Sequence, residues 1–466
     1  MWLLWCTILL AAAHTSRGHG QVKVLLTEKG IQYATDIAND VISRHVSEQK
    51  FPDMKDGSIL VRDIAITKAV KPRIELQPKP PHHFKVLARN GMLQVSGGWK
   101  YDWFLFHETG TFQVQIKGIN LEVTLALSHS DKGSPKITDA VCKVDLSVDN
   151  LSINGKFFAA IARLFKGVFR NRLASKLRDT ICRETVRMAN TDFNQVIAKV
   201  PTSLFVFDAN MKIDASLVSK PASTSDKTIL MEYKGDLSWR GEQAKPVAAK
   251  PLPVMSRPDR MAIVMMSASL VKTFLGTAQA HGVLEASFTD TQMPLLKTHC
   301  DYTRICMGKL APSLAQRYPR ESLVLNIAVD DQPQVSLDPG RATFRLNTSI
   351  TLAPASANLT NSSAIFQLSS IISGQATAVI SNNRLVPTVK LQFLQTELVD
   401  SEIQELEAST VSCGLRFLTP VIEYAVNQAL SVGVALPQTQ GLQLQEPEVE
   451  ILDDAIMLQT DLQVHI

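Results

Sequence analysis

The chain has 466 residues, 45% of them apolar and 20% charged, with a formal net charge of +4 at neutral pH. That length allows two or three domains with sizeable cores, and the composition excludes a disordered chain. The weak basic balance, with no dense Lys/Arg patch interleaved with aromatics, argues against nucleic acid as a partner.

Trp2 to Ala13 is nearly all apolar and is followed by small and polar residues from His14 to Gly20. This predicts a secretory signal over residues 1–20, too short to span a membrane. No later stretch holds 18 uninterrupted apolar residues, so no transmembrane helix is predicted. Export places the cysteines in an oxidising compartment. Cys6 leaves with the signal, and Cys142, Cys182, Cys300, Cys306 and Cys413 remain. That odd number leaves at least one thiol unpaired or paired between chains. Glycosylation sequons stand at Asn150, Asn347, Asn358 and Asn361, three of them close together.

The first periodic segment, Thr27 to Gln49, predicts a helix with Ile31, Ala34, Ile37, Ala38, Val41 and Ile42 on one face. A strand-rich region follows. In SGGWKYDWFLFHETG, the residues Trp99, Tyr101, Trp103, Phe104, Leu105 and Phe106 crowd together, and a strand with one buried face cannot hide them all. Either some lie exposed at a tip that enters a lipid interface, or the strand is packed on both sides. Thr111 to Leu127 alternates through Phe112, Val114 and Ile116. It then resumes in the opposite phase through Ile119, Leu121, Val123, Leu125 and Leu127, so Gly118 reads as a bulge or bend.

Lys156 to Met188 predicts the longest helix, with Phe158, Ile161, Phe165, Val168, Phe169, Leu173, Leu177 and Ile181 at helical spacing. Its polar face carries Arg163, Lys166, Arg170, Arg172, Lys176 and Arg178. Such a helix lies on an anionic membrane or packs on a core with a solvated basic face. Strand-like segments follow near Leu204 to Leu217 and Thr228 to Trp239.

The proline-rich stretch 245–260 predicts a linker between an N-terminal domain, 21–244, and a C-terminal domain, 261–466. The second half repeats the order of the first. A helix from Ser267 to His281 ends at Gly282. Strands follow at Ser322 to Val329, Thr343 to Leu352, Ala364 to Ile372 and Ala376 to Leu398, the last with a turn at Asn382-Asn383. A helix from Ser412 to Ser431 and one terminal strand close the chain.

Catalytic signatures are missing: no G-x-S-x-G, H-E-x-x-H, P-loop or G-x-G-x-x-G occurs. His299, Cys300 and Cys306 lack further convergent ligands for zinc, so a local disulfide is the simpler reading. His82-His83 in a proline-rich loop reads as solvated. No catalytic residue, metal or cofactor is predicted, and the chain does not read as an enzyme.

Several strings resemble the family of bactericidal/permeability-increasing protein, lipopolysaccharide-binding protein, phospholipid transfer protein and cholesteryl ester transfer protein. They are LLTEKGIQYA (25–34), FPDMKDG, QVSGGWK (94–100), SPKITDAVC (134–142), DRM (259–261), AHGVL (280–284) and SNNRLV (381–386). Their order and spacing cover almost the whole chain after the signal. The resemblance implies an α+β boomerang of two tandem antiparallel β-barrels, each with two helices, joined by a central β-sheet. It implies an apolar pocket for phospholipid-type lipid between helix and barrel, here lined by Ile31, Ile37, Val41, Phe158, Ile161, Phe165, Val168 and Phe169. It also implies a disulfide between Cys142 and Cys182.

Cys300, Cys306 and Cys413 depart from the family pattern. The tip around Trp99, Trp103, Phe104 and Phe106 has fewer basic residues than the lipopolysaccharide binders and looks more like that of phospholipid transfer protein. The function implied is a secreted lipid binder in innate immunity, with phospholipid, lipopolysaccharide and a membrane or lipoprotein surface as partners. Transfer of phospholipid between particles is the alternative within the fold. A secreted protein-interaction module without lipid cargo is the alternative of another class.

Overall fold

The computed structural model describes residues 20–45, 53–104, 106–155, 158–198, 200–206, 209–224, 227–253, 259–299, 306–356, 364–403, 408–436 and 442–464. Residues 1–19 of the predicted signal, Asn358, Asn361 and Cys300 lie outside them.

Among the described residues, four antiparallel sheets organise the chain. Six strands form a central sheet in the order Ala222–Ser223, Ile229–Tyr233, Val22–Leu26, Ala262–Ser267, Ala455–Val464 and Leu442–Leu452. Three come from before the proline-rich stretch and three from after it. They meet where Val22–Leu26 pairs with Ala262–Ser267, from Val22 opposite Met266 to Leu26 opposite Ala262. Leu25, Ile263, Met265 and Ala455 are buried beneath the sheet, and Leu252 of the proline-rich stretch packs with them.

The N-terminal half carries a sheet of long strands: Met54–Asp56, Ile59–Val70, His83–Trp103, Phe106–His129 and Pro135–Gly155, with Arg73–Lys79 also paired to His83–Trp103. The phase change at Gly118 is real. Phe112, Val114 and Ile116 are buried before it and Val123 and Leu125 after it. Gly118 has φ +61°, and the pairing with Pro135–Gly155 shifts register between Lys117 and Asn120. A left-handed glycine absorbs the extra residue, so both halves of the strand keep their apolar side chains on the core.

The long helix, Phe158–Met188, packs Leu173, Ala174 and Leu177 into that core. A disulfide joins Cys142 on strand Pro135–Gly155 to Cys182 on the helix, 40 residues apart. The segments expected at 204–217 and 228–239 are each broken by turns. They supply short strands to the central sheet and to a separate four-stranded sheet.

The C-terminal half builds a seven-stranded sheet from Glu285–Phe288, Leu323–Val329, Gln334–Asp338, Arg341–Pro354, Phe366–Ser381, Arg384–Ser401 and Val434–Ala435. The break expected between Ile372 and Ala376 does not occur. Gly374 lies inside strand Phe366–Ser381, where a Cβ would stand 2.2 Å from the Lys390 carbonyl oxygen and 2.4 Å from the Phe344 ring. The glycine makes room for a neighbour and ends nothing. The Asn382-Asn383 turn is a two-residue hairpin with φ +49° and +58°, a conformation asparagine tolerates. Two closing strands, Leu442–Leu452 and Ala455–Val464, replace the single one expected.

Helices meet strand edges through asparagine. Asn194 accepts from the Ile137 amide (2.8 Å) and donates to the Ile137 carbonyl (2.9 Å). Asn427, on helix Ala408–Leu430, does the same with Val389 at 2.8 and 2.9 Å. Asn39, on helix Glu28–His45, contacts the amide and carbonyl of Ile74. A side-chain amide carries one donor and one acceptor group, so it pairs with a strand's outer backbone as another strand would.

The two halves are also joined electrostatically. Arg260 meets Glu446 (2.9 Å), Glu448 and Asp461 (3.4 Å), and Lys29 reaches Asp461 at 2.8 Å. Burial acts to raise the Asp461 pKa, but Lys29, the Met261 amide and Arg260 outweigh it and hold the carboxyl below its ordinary 3.8.

Two outcomes follow from these links. Cys142→Ser opens a 40-residue loop in the unfolded chain. It should cost about 3–4 kcal/mol and lower the melting temperature by roughly 5–10 °C, read by calorimetry. Asp461→Asn should cost roughly 1–3 kcal/mol at pH 7. The Asp461 contribution exists above the ordinary carboxylate pKa and is lost as pH falls through the lowered one. The stability difference between variant and wild type should therefore disappear in denaturant melts run below that range.

Candidate lipid-binding site and tip

Helix Glu28–His45 begins where the two halves meet. The Thr27 hydroxyl accepts from the Gly30 amide at 3.3 Å, and it also donates to the Arg260 carbonyl at 2.7 Å. Gly30 allows the close approach, since a Cβ there would stand 2.4 Å from the Met261 carbonyl oxygen. Tyr33 accepts from the Val464 amide through its hydroxyl at 3.0 Å. The helix then runs beside strand Arg73–Lys79, where Asn39 holds Ile74.

Of the expected pocket residues, Ile31 is 4% exposed and Ile37 is half-buried. The side chains of Val41, Phe158, Ile161, Phe165, Val168 and Phe169 lie outside the described ones. The described part of the long helix is a packed one. Three of its arginines turn to neighbours within the protein. Arg170 meets Asp149 at 3.3 Å, Arg178 donates to the Leu146 carbonyl at 3.0 Å, and Arg187 meets Glu184 at 2.8 Å. Burial of Leu173 and Leu177 and the contacts of Arg170 and Arg178 to strand Pro135–Gly155 favour a core-packed helix over one lying on a membrane.

The aromatic segment divides between core and tip. Strands His83–Trp103 and Phe106–His129 form one long hairpin whose last pair is Trp103 opposite Phe106. Trp99 does not belong to the tip, contrary to expectation. It is only 9% exposed and packs with Val61, Phe112 and Leu151. Gly110 lies opposite it and Gly155 opposite Gly110. A Cβ on Gly110 would stand 2.7 Å from Trp99 Nε1, and one on Gly155 2.8 Å from Trp99 Cζ2. Two glycines from neighbouring strands clear the bed on which the indole lies.

Phe104 is the opposite case, being 87% exposed at the hairpin turn with φ +50°. An aromatic residue in the left-handed region costs about 1–2 kcal/mol, which glycine would avoid. The side chains of Trp103 and Phe106 lie outside the described ones. Behind the turn, Asp102 lies between Lys100 (2.8 Å) and His107 (2.8 Å). Hydrogen bonds from Lys100 first and His107 second hold its carboxyl below the ordinary range.

Other candidates are structural. Cys306 is disulfide-bonded and 2% exposed, so its sulfur is not available as a thiolate ligand. The Cys413 side chain lies outside the described ones. His82, read as solvated, is half-buried and contacts the Pro221 carbonyl at 3.0 Å, tying the N-terminal sheet to the edge of the central one. Among the described residues, no group of three or more His, Cys, Asp or Glu is placed to hold a metal. No described helix is long and apolar enough to cross a membrane. Asn150 and Asn347 are exposed on strands.

Sequence reasoning missed Arg260, Asp461 and the three asparagines. Arg260 at the end of the proline-rich stretch was visible, but its acidic partners lie about two hundred residues away.

Two family models match the chain in order. The N-terminal domain of the LBP / BPI / CETP family matches residues 42–194, and its C-terminal domain matches residues 206–464. The lipopolysaccharide-binding protein of Homo sapiens is 23% identical over 454 residues, covering 94% of this chain and 92% of that protein. The bactericidal permeability-increasing protein of Sebastes schlegelii is 23% identical over 473 residues, covering 98% of each. The crystal structure of lipopolysaccharide binding protein aligns over 96% of this chain and all of that one, with a TM-score of 0.61 at 18% identity. The fold is the boomerang of tandem barrels joined by a central sheet, and the chain belongs to the LBP / BPI / CETP family.

Proposed function

We propose that this protein is a secreted, non-enzymatic lipid binder that holds phospholipid-type lipid in apolar pockets and docks on lipid surfaces, bacterial membrane and lipopolysaccharide among them. The observation that carries this reading is the match of both family domains in order, with relatives named for lipopolysaccharide binding that run nearly its full length. The driving force is partition. Each CH₂ removed from water contributes about 0.8 kcal/mol, so two acyl chains of about 16 carbons contribute on the order of 20 kcal/mol before ordering costs. The apolar face of helix Glu28–His45, with Ile31 turned inward, is one wall available to such a chain.

Phe104 supports docking. A phenylalanine kept exposed in an unfavourable backbone conformation is costly in water and favourable in a lipid interface. The weakly basic Lys100–Asp102–His107 cluster behind it lacks the dense positive charge that phosphorylated lipid A would require for tight binding. This favours phospholipid as the principal cargo.

Organic extraction of the purified protein followed by mass spectrometry should return phospholipid in stoichiometric amount. Protein free of lipid, together with ester hydrolysis that survives repurification, would overturn the carrier in favour of a hydrolase. Lipid-free protein without such activity would leave a protein-interaction module. Phe104→Gly should weaken sedimentation with phosphatidylcholine vesicles roughly ten- to hundredfold, from about 1.5–3 kcal/mol of lost burial. The same change should keep or raise the melting temperature, because it removes the left-handed strain. Unchanged vesicle binding would remove the tip from the mechanism.

A further inference from the structure

We propose that the outer face of the N-terminal sheet, just behind the tip, is a binding site for neutral carbohydrate. A trough of about 690 Å³ opens there on the side of the sheet away from the core. That volume lies in the range of small-molecule sites. The strand register makes it. Arg62, Gly98, Thr111 and Asn154 form one row across four strands, and Ala65, Ser96, Gln113 and Ser152 form the next. On the opposite face, the neighbouring rows hold Trp99, Phe112 and Val114 in the core.

Two features turn this patch into a concavity. Gly98 contributes no side chain, so the floor is backbone. The pairing of Ile59–Val70 with His83–Trp103 slips between Arg62 and Ala65, with Asp63 at φ +53°. This bulge raises Arg62 and Asp63 as a wall, their charges 3.7 Å apart. Gly97 serves the other side, where a Cβ would stand 2.7 Å from the Phe112 ring.

The lining identifies the ligand class. Ser96, Thr109, Thr111, Gln113, Ser152 and Asn154 supply hydroxyl and amide groups around the trough. Among the described residues, none of these six side chains has a hydrogen-bond partner. Farther along the same strands the polar groups are taken up within the protein. Asn150 donates to Gln115 at 3.1 Å, and Ser147 donates to the Lys117 carbonyl at 3.2 Å.

Convergent neutral groups that both donate and accept match vicinal sugar hydroxyls, which do the same. A phosphate would need net positive charge, and Asp63 offsets Arg62. An acyl chain would leave the lining's polar groups without partners. The inference rests on no part of the lipid reading.

The test is a printed array of lipid-free oligosaccharides probed with the full-length protein, repeated with Gly98→Leu and with Thr111→Val. Gly98 has an ordinary backbone conformation, and a Cβ there meets nothing closer than Arg62 Cγ at 3.6 Å. A leucine therefore fills the trough without straining the strand, and the melting temperature should hold or rise. The wild type should retain one glycan class. Gly98→Leu should abolish that capture, and Thr111→Val should weaken it roughly tenfold. Capture by Gly98→Leu equal to that of the wild type, or no glycan retained by the wild type, overturns the proposal. Competition by inorganic phosphate also overturns it, because the site would then be an anion site. Phospholipid found by extraction bears on none of these outcomes.

Discussion

The molecule depends on one ladder of backbone hydrogen bonds, that of strand Val22–Leu26. It lies between Ile229–Tyr233 on one side and Ala262–Ser267 on the other, so it is both the middle of the central sheet and the seam between the halves. Everything near it serves to hold it. Gln21 donates to the Lys234 carbonyl and accepts from the Ser267 amide through its own backbone. Thr27 ties the start of the first helix to Arg260 and Met261. Lys29, Arg260 and Asp461 then bring the first helix, the end of the proline-rich stretch and the last strand to one point. A sheet shared between domains forces each half to present its edge in register. The relative placement of the barrels thus comes from strand pairing, not from a flexible connection.

Much of this was legible in the sequence wherever the signal was local. The phase change at Gly118, the Asn382-Asn383 hairpin and the long helix are each written within a few residues, and each appears where its pattern stands. What failed was of another kind. Trp99 was placed at the tip because its neighbours are aromatic. Its space is cleared by Gly110 and Gly155, which reach it only through strand pairing. The strands expected at Ala364 to Ile372 and Ala376 to Leu398 were separated where the chain runs on, because nothing near Gly374 in sequence reveals Phe344 across the ladder. Asn39, Asn194 and Asn427 are ordinary helix residues in the sequence, and their meaning lies in strands 35, 57 and 38 positions away. Periodicity shows which face of an element is buried, and is silent about what lies opposite.

The same limit applies to the site. The resemblance names a pocket between helix and barrel, and Ile31 turns inward beside the central sheet. The hairpin end is a different problem, because there the aromatic run divides by parity. Trp99 and Tyr101 pack toward the core, Lys100 and Asp102 lie on the other side with His107, and Phe104 stands at the turn. One short segment thereby supplies a core anchor, a charged collar and an apolar apex. Behind it, Gly97, Gly110 and Gly155 make room for Phe112 and Trp99 on the core side, and Gly98, pointing the other way, leaves the outer face low and polar. The packing of the core and the shape of the outer trough thus come from adjacent glycines that face opposite sides of one strand.

The position of the seam strand also bears on how the protein is made. Val22 leaves the ribosome early, yet its partner Met266 is synthesised far later. At about 5–20 residues per second the delay is on the order of 10–50 s. Through that interval strand Val22–Leu26 has Ile229–Tyr233 available as a partner on one side only. The shared sheet cannot be completed before the second half is made, so the edge of strand Val22–Leu26 stays without its later partner for all of that time.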